Sequence, residues 1–154
     1  MDALDRLAPL SDRYATLPVA DAFDWATAGA GADVGEWYLV VFRSIHRADA
    51  DPERLREYDD RAHEEAASAP GFIHYFKGPP ATDRSCLSFC LWDSRAHARS
   101  AAGRPAHRAA VMILDEMYEH YTLEFLRVRR SRPWGPLEFE PYDPSPPTEA
   151  HRAA

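Results

Sequence analysis

A chain of 154 residues with a net charge of −7 has the size of one domain and lacks the basic stripe that a nucleic-acid partner requires. Its apolar fraction of 45% is ordinary for a globular protein and argues against disorder throughout. No apolar run approaches the length of a membrane span and no basic-then-apolar signal opens the chain, so a soluble cytoplasmic protein with no membrane partner is expected.

Residues 1–36 read as a leader. Pro18 opens a short helix through Val19, Phe23 and Trp25 that Gly29-Ala-Gly31 ends, with Phe23 and Trp25 packing on the main body. Residues 37–46 are rich in aromatic and β-branched side chains, as a strand should be. Tyr38, Val40, Phe42, Ser44 and His46 share one face of it and Trp37, Leu39, Val41, Arg43 and Ile45 the other. Both faces are largely apolar, so both are expected to be covered. Asp51-Pro52 then caps a helix that runs to about Ser68, before Ala69-Pro70-Gly71 breaks it. Phe72 to Lys77 forms a second strand, Thr82-Asp-Arg84 a hairpin turn, and Ser85 to Trp92 a third strand. Asp93-Ser94 caps a short helix to Ala102. Gly103-Arg-Pro105 interrupts it, and a further helix follows to about Glu119. Tyr121 to Arg129 is the last strand, and Arg129, Arg130 and Arg132 after it are read as solvated strand-end charges.

The order strand, helix, strand, strand, helix, strand occupies residues 37–131. Residues 132–154 form a tail whose prolines, Pro133, Pro136, Pro141, Pro144, Pro146 and Pro147, predict no regular element. Trp134, Leu137, Phe139 and Tyr142 are expected to pin its first half to the body, and its last ten or so residues to be mobile. Cys86 and Cys90 lie four apart on one face of a strand, too far apart for an unstrained bridge, so free thiols in a reducing compartment are expected. Neither sits in a basic setting that would activate it.

On a helical wheel, Leu55, Ala62, Ala66 and Ala69 make the inner face of the first long helix. Asp59 falls among them and His63 lies at the edge, one turn on. A carboxylate on an inward stripe is costly unless paired. It is either half of a structural pair with His63 or an arginine, or the group that orients a histidine base. In the later helix Ala106, Ala110, Ile113, Leu114 and Met117 face inward, with His107 and Tyr118 along one side. The alanines leave room between helices and sheet that leucines would fill. Phe42, His74, Phe89 and Trp92 are candidates for the other wall of such a pocket. Alternation does not decide which strand face meets the helices, so His74 belongs equally to pocket or interface. Asp59, His63 and His107 are also the residue types of a two-histidine, one-carboxylate iron site, and His63 or His107 could ligate haem. No HExxH motif is present, and no GxGxxG or P-loop pattern points to a nucleotide cofactor.

The element order, together with Ala69-Pro-Gly-Phe72, the strand Ser85 to Trp92, Asp93-Ser-Arg and Arg104-Pro-Ala-His107, resembles the antibiotic biosynthesis monooxygenase family of the dimeric α/β-barrel superfamily. The resemblance covers about residues 37–130. It implies an α+β, ferredoxin-like β-α-β-β-α-β fold with two helices on one face of the sheet. A second subunit would cover the other face to close a dimeric α+β barrel. Trp92 stands where members carry an aromatic residue and His107 where many carry a histidine. A further histidine that members often carry slightly earlier is replaced near Ser100, which tells against carrying over haem ligation or one particular oxygenase mechanism. The superfamily holds cofactor-free oxygenases, haem-degrading enzymes, polyketide cyclases and proteins without known activity, so fold alone does not name the reaction.

The combined expectation is a homodimeric monooxygenase acting on an aromatic or polyketide-like small molecule, with no cofactor required and no metal. His63, oriented by Asp59, would abstract a proton, and His107 and Tyr118 would hold the oxyanion. Phe42, His74, Phe89 and Trp92 would contact the substrate. Alternatives are a cyclase with the same acid–base groups, a haem-binding or haem-degrading protein, and a non-catalytic ligand-binding dimer.

Overall fold

The computed structural model describes residues 3–143. The expected mobile end of the tail lies outside them. Leu4–Arg6 and Tyr14–Thr16 are single 3-10 turns. After them come α1 (Val19–Ala22), α2 (Trp25–Ala28), β1 (Gly35–His46), α3 (Pro52–Ala67), β2 (Phe72–Phe76), β3 (Ser85–Trp92), α4 (Arg95–Ala102), α5 (Pro105–Met112), α6 (Leu114–Met117), β4 (Tyr118–Arg130) and β5 (Glu138–Pro141). The five strands form one antiparallel sheet in the order β2-β3-β1-β4-β5. Its first four strands with α3 and α4–α5 make the expected α+β ferredoxin-like core.

Local chemistry accounts for the helix boundaries. Asp51 accepts hydrogen bonds from the backbone N–H groups of Glu53 and Arg54, with Pro52 at the first turn of α3. The helix ends at Ser68, ahead of Pro70, and Gly71 then turns the chain at φ +80°. A side chain at Gly71 would collide with Asp93 and His97. Its carbonyl accepts from Asp93 N–H, so glycine there lets the start of β2 meet the end of β3.

Several boundaries differ from the sequence reading. The leader forms two one-turn helices instead of one helix. Phe23 between them is extended, and Asp24 caps the second by accepting from Thr27 N–H. The long helix expected to reach Glu119 stops at Met112. One more turn follows, and the chain enters β4 at Tyr118, opposite His46. The proline-rich tail does contain a regular element, since β5 pairs with β4. Pro136 precedes this edge strand and Pro141 ends it, so neither interrupts the ladder. Arg130 is buried instead of solvated; its guanidinium donates to the carbonyls of Gly29, Asp33 and Gly135.

The two faces of the sheet have different partners. Tyr38, Val40 and Phe42 of β1, with Ser88, Cys90 and Trp92 of β3, look toward α3, α4 and α5. Leu39, Val41, Leu87, Phe89, Leu91 and Val128 look the other way and form the main core with Leu4, Leu7, Tyr14, Val19, Phe23 and Trp25 of the leader. The helix-free face, which the resemblance assigns to a second subunit, is therefore covered by the chain's own leader.

Candidate functional site

A cavity of about 450 Å³ lies between the helices and the sheet. No residue of α3 or α5 is fully buried beside it. Their inward positions include Ala62, Ala66 and Ala110, which line the space without filling it. The two helices are held to each other by a tertiary cap. The Glu65 carboxylate of α3 accepts from the backbone N–H groups of Ala106 and His107 in the first turn of α5, at 3.0–3.2 Å. Arg104 donates back to the Glu65 carbonyl. Nothing in the sequence reading pointed to Glu65, because such a cap joins residues some forty positions apart.

Aromatic rings make up much of the sheet-side wall. Phe42 packs edge-on to Tyr118 and stacks on Tyr121. Phe72 meets Trp92 edge-on, and Tyr38 stacks on Phe125. Phe42 and Trp92 thus stand where a substrate contact was expected. His74 does not. A bulge between Phe72 and His74 shifts the register of β2, so that Tyr75 faces the cavity and His74 faces the leader, with Nδ1 3.5 Å from an oxygen of Asp5. Phe89 borders the cavity, but its ring is stacked on Phe76 and lies against Trp25 and Phe23 on the far side of the sheet.

The polar groups gather at one end. Tyr75 Oη donates to Asp59 Oδ1 at 2.7 Å, and Lys77 Nζ sits 2.7 Å from Asp59 Oδ2 as an ion pair without hydrogen-bond alignment. Asp59 therefore does not orient His63. That ring stands at the rim, 4.7 Å from the Tyr75 ring and 6.0 Å from Phe72. Burial, reinforced by the Asp59 charge, pushes the Tyr75 and Tyr118 hydroxyls above their ordinary range, so both stay protonated as donors. The same two causes push the Cys90 thiol up to about 12, and it is inert. His107 lies at the mouth, and partial burial holds its imidazole below the ordinary value against the opposing pull of Glu65.

Asp59, His63, His107 and Tyr118 all line this one cavity. They enter it at different depths and from three elements, with Tyr118 coming from β4 instead of a helix. Among the described residues, no three of His, Cys, Asp and Glu converge as metal ligands, so Asp59, His63 and His107 do not fit an iron site. Tyr75 and Lys77 were missed. Lys77 is the only lysine in the chain, which was the one signal available for it.

An α+β domain of this topology has a ferredoxin-like fold. The chain itself belongs to the PB2B2.08-like family, whose model matches residues 1–139. No curated protein matches it. Among solved structures it is similar to a protein of Nitrosomonas europaea described provisionally as an antibiotic biosynthesis monooxygenase. That match has 16% identity and a TM-score of 0.50, covering 60% of this chain and 89% of that one. It is also similar to Rv0793 of Mycobacterium tuberculosis, at 18% identity and a TM-score of 0.51, covering 61% and 94%. For the protein SO0527 of Shewanella oneidensis the values are 12% and 0.53, with 62% and 94% covered. At such identities the likeness is one of fold. No helix among the described residues is long and apolar enough to cross a membrane.

Proposed function

We propose that this chain is a monooxygenase-type enzyme that takes a flat aromatic or polyketide-like molecule into the helix–sheet cavity and needs no cofactor. The observation that carries the reading is an apolar, aromatic-walled space with a paired carboxylate and a free phenol at one end. Its volume lies within the roughly 300–1,000 Å³ of small-molecule sites. Asp59, its charge balanced by Lys77, is the proton acceptor. Tyr118 donates to the enolate oxygen that forms, and Tyr75 holds Asp59 in place. His63 and His107 pass the proton to solvent from the rim. Phe42 and Trp92 stack on the substrate. In such a site a CH₂ group made acidic by flanking rings loses a proton, and the carbanion reacts with O₂. The methylene becomes C=O and the second oxygen leaves as water. The substrate supplies all four electrons, so the step balances without a reductant.

Anthrone, a tricyclic ketone with such a CH₂, is a suitable probe. Oxygen uptake with formation of anthraquinone and water is expected above the uncatalysed rate. Asp59→Asn and Tyr118→Phe should each lower it by about 10²-fold or more while anthrone still quenches the cavity tryptophan, Trp92. Binding without oxygen uptake would replace this reading by a cyclase or a non-catalytic ligand-binding protein. Absence of both would remove the pocket as a site for flat aromatics.

A further inference from the structure

We infer that the leader takes, within one chain, the sheet face that a second copy would otherwise cover, and that the protein works as a monomer. A sheet with helices on one side has a second apolar face that must be buried against something. Here the residues at the centre of that face, Leu39, Val41, Leu87, Phe89 and Val128, have relative exposures of 0, 0, 0, 1 and 2%. A stable dimer takes on the order of 800 Å² from each partner, and this face has no such surface left to offer.

The seat of the leader has the character of a core. Phe23 lies at its centre, edge-on to Phe76 at 4.9 Å, Phe89 at 5.5 Å and Tyr14 at 5.9 Å. Trp25 packs between Phe89 and Phe139 of β5, so leader and tail strand close over the sheet together. The polar groups that this burial takes from water are bonded. Tyr14 Oη donates to the Pro79 carbonyl at 2.6 Å and Trp25 Nε1 to the Val19 carbonyl at 2.8 Å. From the sheet side, Arg43 donates to the Ala15 carbonyl and Arg130 to those of Gly29 and Asp33. A segment merely resting on a surface would leave such groups to solvent.

Two further observations agree. The family model begins at residue 1, so the leader is part of what defines the family. Among the described residues, the large exposed hydrophobics, Leu10, Val34, Val111, Met112, Phe125 and Trp134, come from the leader, α5, β4 and the tail, and none belongs to the core of the helix-free face.

Sedimentation equilibrium of the full chain, from micromolar to near-millimolar protein, should give the monomer mass throughout. A dimer at any of these concentrations overturns the inference. Whether the leader sits on its own chain is read separately. Natural-isotope and heavy-nitrogen chains, both carrying photo-leucine, are unfolded together, refolded and irradiated. Cross-links from Leu4, Leu7 or Leu17 to β1 or β3 should join chains of one isotope only. Mixed-isotope cross-links mean that leaders are exchanged between copies and overturn it equally. Neither readout depends on the activity proposed above.

Discussion

Tyr75 reaches the cavity because β2 carries one residue more than its partner between Phe72 and His74. Strict alternation would place Phe72 and His74 on one face, and with both faces apolar it left His74 open between pocket and interface. A bulge has no signature in the residues that form it here, so the exchange of His74 for Tyr75 was decided by pairing with β3. Asp59 was legible as an inward carboxylate from the wheel alone. Its partners were not, since Tyr75 on β2 and Lys77 just after it lie sixteen and eighteen positions away. The buried imidazoles give a testable consequence. Burial holds His46 and His74 below their ordinary 6.5. Between the folded and ordinary values the unfolded chain binds more protons, so stability rises with pH there and falls as pH drops below 6.5. His46→Gln removes one share of that loss. Its urea midpoint should decline less steeply than the parent's between about pH 7 and 5. An unchanged slope would mean that His46 is as well hydrated folded as unfolded.

At the scale of elements, the alanine stripes of α3 and α5 are what make a hollow instead of a core. Ala110→Leu places an isobutyl group in that hollow. It should abolish anthrone quenching while changing stability by no more than about 1–2 kcal/mol, because empty space receives the side chain. Undiminished binding would place the ligand elsewhere. The position of α5 depends on Glu65. Glu65→Ala leaves two N–H groups and the helix dipole without their acceptor and should cost about 1–2 kcal/mol. The amides of Ala106 and His107 should then exchange faster than the rest of α5. Helix starts such as Asp51-Pro52 were legible because the cap is local. The Glu65 cap and the tail strand β5 were not, because each is completed by residues distant in the chain.

Across the whole molecule the leader belongs to the same core as the sheet. Phe23 is 2% exposed among four aromatic rings, so Phe23→Ala should lower global stability by about 3–5 kcal/mol, read from the urea midpoint. A cost under about 1 kcal/mol would mean that the leader is peripheral. The two apolar faces of β1 correctly announced that both sides of the sheet are covered. What covers the second side could not be read from them, because apolar burial is not directional and a second copy or the chain's own leader satisfies it equally.

The sequence by itself determined the element order, the helix caps, the inward alanines and the titratable side chains among them, since periodicity and capping act over a few neighbouring residues. Only the tertiary structure decided that Asp59 is held by Tyr75 and Lys77, that Tyr118 enters from a strand and that the leader closes the sheet. Those outcomes depend on register and on contacts between distant segments, which the local pattern of residues leaves free.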